Sequence, residues 1–274
     1  MDIWQVERMA ERKINEVAVF SSLLSQIYDQ SWYSKLSTKE SDFFISYIGK
    51  SLTLEIGSGT GRLSIPLLER GCNIFGLEGS ECMYEKLQSK LSKEDKSRFI
   101  VWDAMQIPYP VVDEFFENII VPFSTFGLIH NNENDLGANR LFNEFYRILK
   151  SDGLVIINDF RTQRIDREKL NKDLIEESFC HCHPQYGEIV EEQTSQFKIC
   201  PNELLDDQII RERKTVFIVK KTGQVLEEHF ERIPLWDASD FPILGEKSGF
   251  KYVKGEICLD FHEEPSIMHI FQKT

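Results

Sequence analysis

Basic clusters are missing from this 274-residue chain: 32 Lys and Arg stand against 45 Asp and Glu, a formal charge of −13. Such a field repels polyanions and reduces the counterion release that dominates nucleic-acid affinity, so DNA and RNA are not expected as partners. An anionic membrane surface is disfavoured on the same ground. Long apolar runs are missing too, since no stretch reaches the ~20 residues that span a bilayer. The opening Met1-Asp2-Ile3-Trp4-Gln5-Val6-Glu7-Arg8 breaks any apolar run with charge, and a cytoplasmic location is the expectation. Cysteine is sparse: Cys72, Cys82, Cys180, Cys182, Cys200 and Cys258 are too few for a disulfide scaffold in a chain this long, and free thiols are expected. No internal repeat or low-complexity segment is present.

What is there is an ordinary globular composition, 41% hydrophobic and 28% charged, in a chain long enough to bury a substantial core. Residues 1–50 read as helices, with Val17, Phe20, Leu24, Ile27 and Tyr28 at helical spacing and a second apolar group at Phe43, Phe44, Tyr47 and Ile48. From Leu52 to Phe160 short apolar strands (52–56, 73–77, 98–102, 117–122, 153–159) alternate with amphipathic helices (62–70, 82–91, 139–149). That alternation is the pattern of a doubly wound α/β core, a parallel sheet covered on both faces. After Phe160 the texture changes to a charged helical stretch, 164–177, and then to Val-, Ile- and Thr-rich segments at 187–199, 207–220 and 225–233. These predict an inserted antiparallel sheet, its last pair turned by Lys221-Thr222-Gly223-Gln224. A short helix (238–248) and strands near 250–256 and 266–272 then return to the main sheet. The expected division is a helical cap over 1–50, a core over 51–160 and 237–274, and an inserted lid over 161–236.

The first strand, Leu52-Thr53-Leu54-Glu55-Ile56, opens into Gly57-Ser58-Gly59-Thr60-Gly61 and then a helix. Such a turn lets backbone N–H groups approach a ligand, and the helix N-terminus adds favourable partial charge. A dinucleotide fingerprint needs G-x-G-x-x-G, and its third glycine would fall at Arg62, so the spacing counts against NAD. Glu78 ends the second strand, where a carboxylate accepts hydrogen bonds from ribose hydroxyls. Asp103, in Val101-Trp102-Asp103-Ala104-Met105, ends the third, where an acceptor and an adjacent N–H read an adenine edge.

With L-E-I-G-S-G-T-G-R (54–62), G-L-E-G-S (76–80), W-D-A-M (102–105), I-I-V-P-F-S-T-F (119–126) and R-I-L-K-S-D-G-L-V-I-I-N-D-F (147–160), the chain resembles the class I S-adenosylmethionine-dependent methyltransferases over about 50–160. It looks closer to their small-molecule, methyltransferase domain 25-like branch, in which an antiparallel sheet inserted late in the chain covers the substrate. The resemblance implies a Rossmann-like, seven-stranded, mostly parallel sheet with S-adenosylmethionine as cofactor. By it Gly57, Gly59 and Gly61 approach the cofactor, Glu78 holds the ribose and Asp103 with Ala104 contacts the adenine, while Pro122, Phe123 and Ser124 lie beneath the methionine portion. Glu55, Ser58, Gly79 and Met105 flank these positions in the same site.

Methyl transfer from a sulfonium is an in-line displacement whose leaving group needs no protonation, so positioning and desolvation supply much of the rate. Where a base is needed, His130 and Asp159 follow the fourth and fifth strands. Aromatic walls for an acceptor are Trp32, Tyr33, Phe126, Tyr186 and Trp236, and Arg161 and Arg232 are candidates to pair with an acid group on it. Cys180-His181-Cys182-His183 carries metal-binding residue types, but alternate residues of an extended segment point to opposite faces and no C-x-x-C partner exists, so no metal is expected. The expected activity is methylation of an O or N of a small molecule such as an amino sugar, amino acid or secondary metabolite. A homodimer is compatible with the sequence. A protein substrate, or a cofactor-binding protein without catalysis, stays open.

Overall fold

Four consecutive buried residues mark β1 (Thr53–Ile56), and five mark β2 (Ile74–Glu78). A strand without an exposed face has elements packed on both sides, and that is how the core is built. The computed structural model describes Trp4 and residues 22–31, 38–129, 136–159, 174–202, 205–259 and 265–274. The helices are α1 (Ser22–Ile27), α2 (Thr38–Ile48), α3 (Ser64–Glu69), α4 (Glu81–Lys90), α5 (Thr125–Ile129), α6 (Leu136–Ile148) and α7 (Asp240–Lys247). The further strands are β3 (Phe99–Val101), β4 (Phe116–Val121), β5 (Leu149–Asp159), β6 (Ile175–His183), β7 (Gly187–Asn202), β8 (Asp206–Val219), β9 (Val225–Leu235), β10 (Phe250–Leu259) and β11 (Pro265–Lys273).

The main sheet has seven strands in the order β10-β11-β5-β4-β1-β2-β3, with β11 antiparallel to both neighbours and the rest parallel. Adjacent residues feed opposite cores. Ile119 and Val155 join Phe142 and Phe145 of α6 and Phe241 of α7 on one face. Ile120 and Ile156 join Phe44 of α2, Leu67 of α3 and Leu87 of α4 on the other. The chain runs from β1 outward through β2 to β3, then returns to the other side of β1 as β4. That reversal opens a crevice at the carboxyl ends of β1 and β4, where ligands bind in open α/β sheets.

The second sheet, β6-β7-β8-β9, is antiparallel throughout. The expectation of a helix over 164–177 needs correction at its end: Ile175, Glu176 and Glu177 begin β6, paired with Ser195, Thr194 and Gln193 of β7. Local charge pattern favoured a helix, but the open edge of β7 supplies a complete ladder that outweighs propensity. Residues 160–173 lie outside the described residues. Leu23, Leu24 and Ile27 of α1 pack with Met83 of α4 and with Ile189 and Phe217 of the second sheet, so α1 ties the sheets together.

Candidate functional site

The glycine turn is pinned before any ligand arrives. Gly57 N and Ser58 N both donate to Leu77 O, at 2.9 and 3.0 Å, holding the turn against the end of β2. Gly57 has φ +76°, and a Cβ there would stand 2.5 Å from Thr125 Cγ2 of α5. Gly59 has φ +55° with nothing within 4 Å of a Cβ. Glu78 completes the turn: Oε2 accepts from Gly59 N at 2.6 Å and Oε1 from Ser80 N at 2.8 Å. Burial pushes the Glu78 carboxyl up from its ordinary value, while the Ser80 and Gly59 amides act against that shift. At the third strand end Asp103 Oδ1 accepts from Met105 N at 2.8 Å, and Ala104 O accepts from Tyr109 Oη at 2.9 Å.

The first two glycines therefore have separable roles. Gly57→Ala is expected to cost about 2–4 kcal/mol of stability, the sum of left-handed strain and overpacking. Gly59→Ala should cost about 1–2 kcal/mol, since only the strain remains, but its methyl enters the open space above the turn and is expected to weaken cofactor binding. Chemical denaturation and a cofactor titration of both variants check this, and equal stability losses would refute the separation.

The turn after β4 is also strained. Phe123 and Ser124 have φ of 56° and 52°. They are held by Asn158 at the end of β5, whose Oδ1 accepts from Phe123 N at 3.0 Å and whose O accepts from Ser124 N at 3.1 Å. Ser124 Oγ donates to Asp159 Oδ1 at 3.1 Å. Two non-glycine residues in left-handed conformation beside a cleft are the kind of strain that accumulates at functional sites.

Glu55 is buried, accepts a short hydrogen bond from Ser64 Oγ, and is pushed up to about 7 by burial, against the Ser64 hydrogen bond and the Arg62 charge. Because the folded protein holds this proton more tightly than the unfolded chain, stability falls as pH rises from the ordinary glutamate value to about 7 and is lowest above that. Glu55→Gln removes the loss. Its stability relative to the natural protein should rise from near zero at about pH 5 to at most about 3 kcal/mol at about pH 8. Thermal unfolding of the unliganded proteins measures this, and a pH-independent difference contradicts it.

These features meet in a cavity of about 980 Å³ between the carboxyl ends of the main sheet and the inner face of the second sheet. Glu55, Gly57, Ser58, Gly59, Glu78, Gly79, Asp103, Ala104, Met105, Pro122 and Phe123 all line it. Gly61 does not; at φ +90° its missing Cβ makes room for Leu87 and Ile65, a packing role. Asp159 and Arg232 line the cavity, Asp159 buried and Arg232 half-exposed beside Glu212.

Three aromatic candidates stand elsewhere. Phe126 and Trp236 are buried in the core with ring centroids 5.7 Å apart, because α5 turns the Phe126 ring away from the cleft. Tyr186 sits in the turn between β6 and β7 against His183, centroids 4.9 Å apart. Trp32, Tyr33, His130 and Arg161 lie outside the described residues. The Cys180–His183 run alternates as expected: the cysteines are exposed and the histidines buried. His181 bonds Glu191 at 2.7 Å and Ser31 at 3.0 Å, and His183 bonds Gln26 at 2.9 Å. Among the described residues no group of three His, Cys, Asp or Glu is arranged to hold a metal, and no helix is long and apolar enough to cross a membrane.

Sequence reasoning missed the polar half of the cavity, including Glu177, Gln193, Arg211, Arg213, His229 and Glu231. Polar residues run through both phases of 211–215 and 227–232, so the sequence carries no signal for which of them face inward.

Residues 53–153 match a family model described as a methyltransferase domain. A demethylmenaquinone methyltransferase from Clavibacter sepedonicus is 25% identical over 62% of this chain and 64% of its own length. A glycine/sarcosine N-methyltransferase from Aphanothece halophytica is 27% identical over 57% of this chain and 55% of its own. The chain thus spans less than two thirds of the length of either relative. The solved CcbJ methyltransferase from Streptomyces caelestis shares the fold over 95% of this chain and 100% of its own, at a TM-score of 0.68 and 12% identity. Strand order and these matches agree: residues 53–153 match a methyltransferase domain, and the chain has the doubly wound fold of solved S-adenosylmethionine-dependent methyltransferases.

Proposed function

We propose that this protein transfers a methyl group from S-adenosylmethionine to an N or O of a small-molecule metabolite inside the cavity between its two sheets. The observation that carries the reading is continuity: one cavity runs from the strand-end cofactor residues to the inner face of the inserted sheet. The residues present fit the cofactor. Space over Gly59 is open, and carboxylates end two successive strands beside it. Glu78 would hold the ribose and Asp103 with Ala104 the adenine, with Gly57, Gly59 and Phe123 around the methionine portion.

When bound, the sulfonium supplies an electrophilic methyl group and a neutral thioether leaving group. The chain's own part is orientation and exclusion of water. The four-stranded sheet acts as the lid of this reading, with residues 161–236 as the inserted unit. Asp159, buried and oriented by Ser124, is positioned to accept a proton from an acceptor, and His130 is the second candidate. Both named relatives act on small molecules, one of them on an amine, which supports the small-molecule reading over a protein substrate. Calorimetric titration with S-adenosylmethionine tests the donor. Adenosylhomocysteine release on adding an acceptor tests the transfer. No binding at millimolar cofactor would sink the reading, and binding without turnover across a broad acceptor panel would favour a cofactor-binding protein.

A further inference from the structure

We propose that the methyl acceptor is a polar molecule, an amine or a polyol, one of whose N–H or O–H groups docks on Oε1 of Glu231; this rests on the methyltransferase reading above. Across the second sheet the pairing register sets Ser195, Arg213 and Glu231 side by side on β7, β8 and β9, and Arg213 and Glu231 both line the cavity. Arg213 turns two of its nitrogens to a single oxygen: Nε lies 2.8 Å and Nη2 2.7 Å from Glu231 Oε2. The Glu231 side chain is 1% exposed and Oε1 has no hydrogen-bond partner among the described residues, so an incoming donor meets Oε1 as the side chain rotates toward the cavity that Glu231 lines.

A buried carboxylate oxygen without a donor is costly, and a ligand that brings one removes the cost. The surroundings select the same chemistry. The neighbouring row is Glu177, Gln193, Thr215 and His229, and Arg211 donates to Ser195 Oγ at 2.8 Å and to Glu177 at 3.0 Å. Burial, together with the neighbouring Arg213, lowers Arg211 from its ordinary value, which marks two guanidiniums crowded on a face poor in water. An apolar ring or chain laid on this face would leave Glu231 Oε1 without a partner. Of the acceptors named by the two relatives, the face suits an amine and not a quinone.

The test is ligand-observed saturation-transfer NMR on the full chain loaded with adenosylhomocysteine, using sarcosine, glucosamine, methyl glucoside and menadiol at millimolar concentration. We expect binding by the amines and no binding by menadiol; binding by methyl glucoside as well assigns the contact to a hydroxyl, and its absence assigns it to an ammonium. Glu231→Gln keeps a carbonyl oxygen for Arg213 and turns an amide N–H₂ to the ligand. It should weaken the polar probe at least tenfold while adenosylhomocysteine affinity stays within twofold. The inference is overturned if menadiol binds and the polar probes do not, if no polar probe binds, or if Glu231→Gln binds them as tightly as the natural protein. Should that variant fail to fold, the probe panel on the natural protein decides. The methyltransferase reading fails separately, by absence of S-adenosylmethionine binding.

Discussion

Replacing Glu78 by alanine is expected to weaken S-adenosylmethionine binding by a hundredfold or more. The carboxylate is buried at the end of β2, and its two oxygens hold the amides of Gly59 and Ser80. Removing it leaves those amides without their acceptor, so the turn that must present Gly57 and Gly59 to the ligand loses its anchor. It also deletes the group that would accept the ribose hydroxyls. A hydrogen bond to a charged group contributes about 1.5–3 kcal/mol, so two such bonds give about 3–6 kcal/mol, or factors of about 10² to 10⁴. Glu78→Gln, which retains one acceptor oxygen, should fall between. Calorimetry on the three proteins measures the series, and an alanine variant within threefold of the natural affinity would show that the ribose is held elsewhere.

Glu40→Ala is expected to destabilise the protein by about 3–5 kcal/mol, because it strands a buried cation. Arg62 follows the glycine turn and meets Glu40 of α2 through two bonds of 2.9 and 2.8 Å, with side chains only 7% and 6% exposed. Its guanidinium also covers the Phe123 ring at 4.3 Å. One ion pair thus joins the N-terminal helix, the glycine turn and the strained turn after β4. Without Glu40 an uncompensated charge would line the cavity proposed for the sulfonium, so cofactor affinity should fall with stability. Replacing both partners with apolar residues should recover part of the stability, since the desolvation cost of both charges disappears together. Urea unfolding of the single and double variants decides this, and a single variant within about 1 kcal/mol of the natural protein would mean that solvent already screens the pair.

The turn and strand-end carboxylates of the proposed cofactor half were legible because those signals are local. Gly57-Ser58-Gly59, Glu78 and Asp103 each sit at the end of a strand whose apolar run is readable, and a parallel sheet brings consecutive strand ends together without further instruction. The acceptor half was not. Trp236 and Phe126 are aromatic residues near the cleft in sequence, yet ring packing turned both into the core. Arg213 and Glu231 are ordinary charged residues of two exposed-looking strands, and only the register of β8 on β9 makes them a pair on a buried face. Likewise β6 became a strand through the ladder offered by β7, a non-local partner that helical charge spacing cannot reveal.

The sequence by itself determined the alternation of strands and helices, the glycine turn and the two strand-end carboxylates proposed to hold the donor, because period and turn chemistry act over a few residues. The tertiary structure alone decided which side chains of the second sheet face the cavity. An antiparallel sheet assigns its two faces through pairing between segments far apart in the chain, and a shift of one residue would have turned Glu231 to the opposite face.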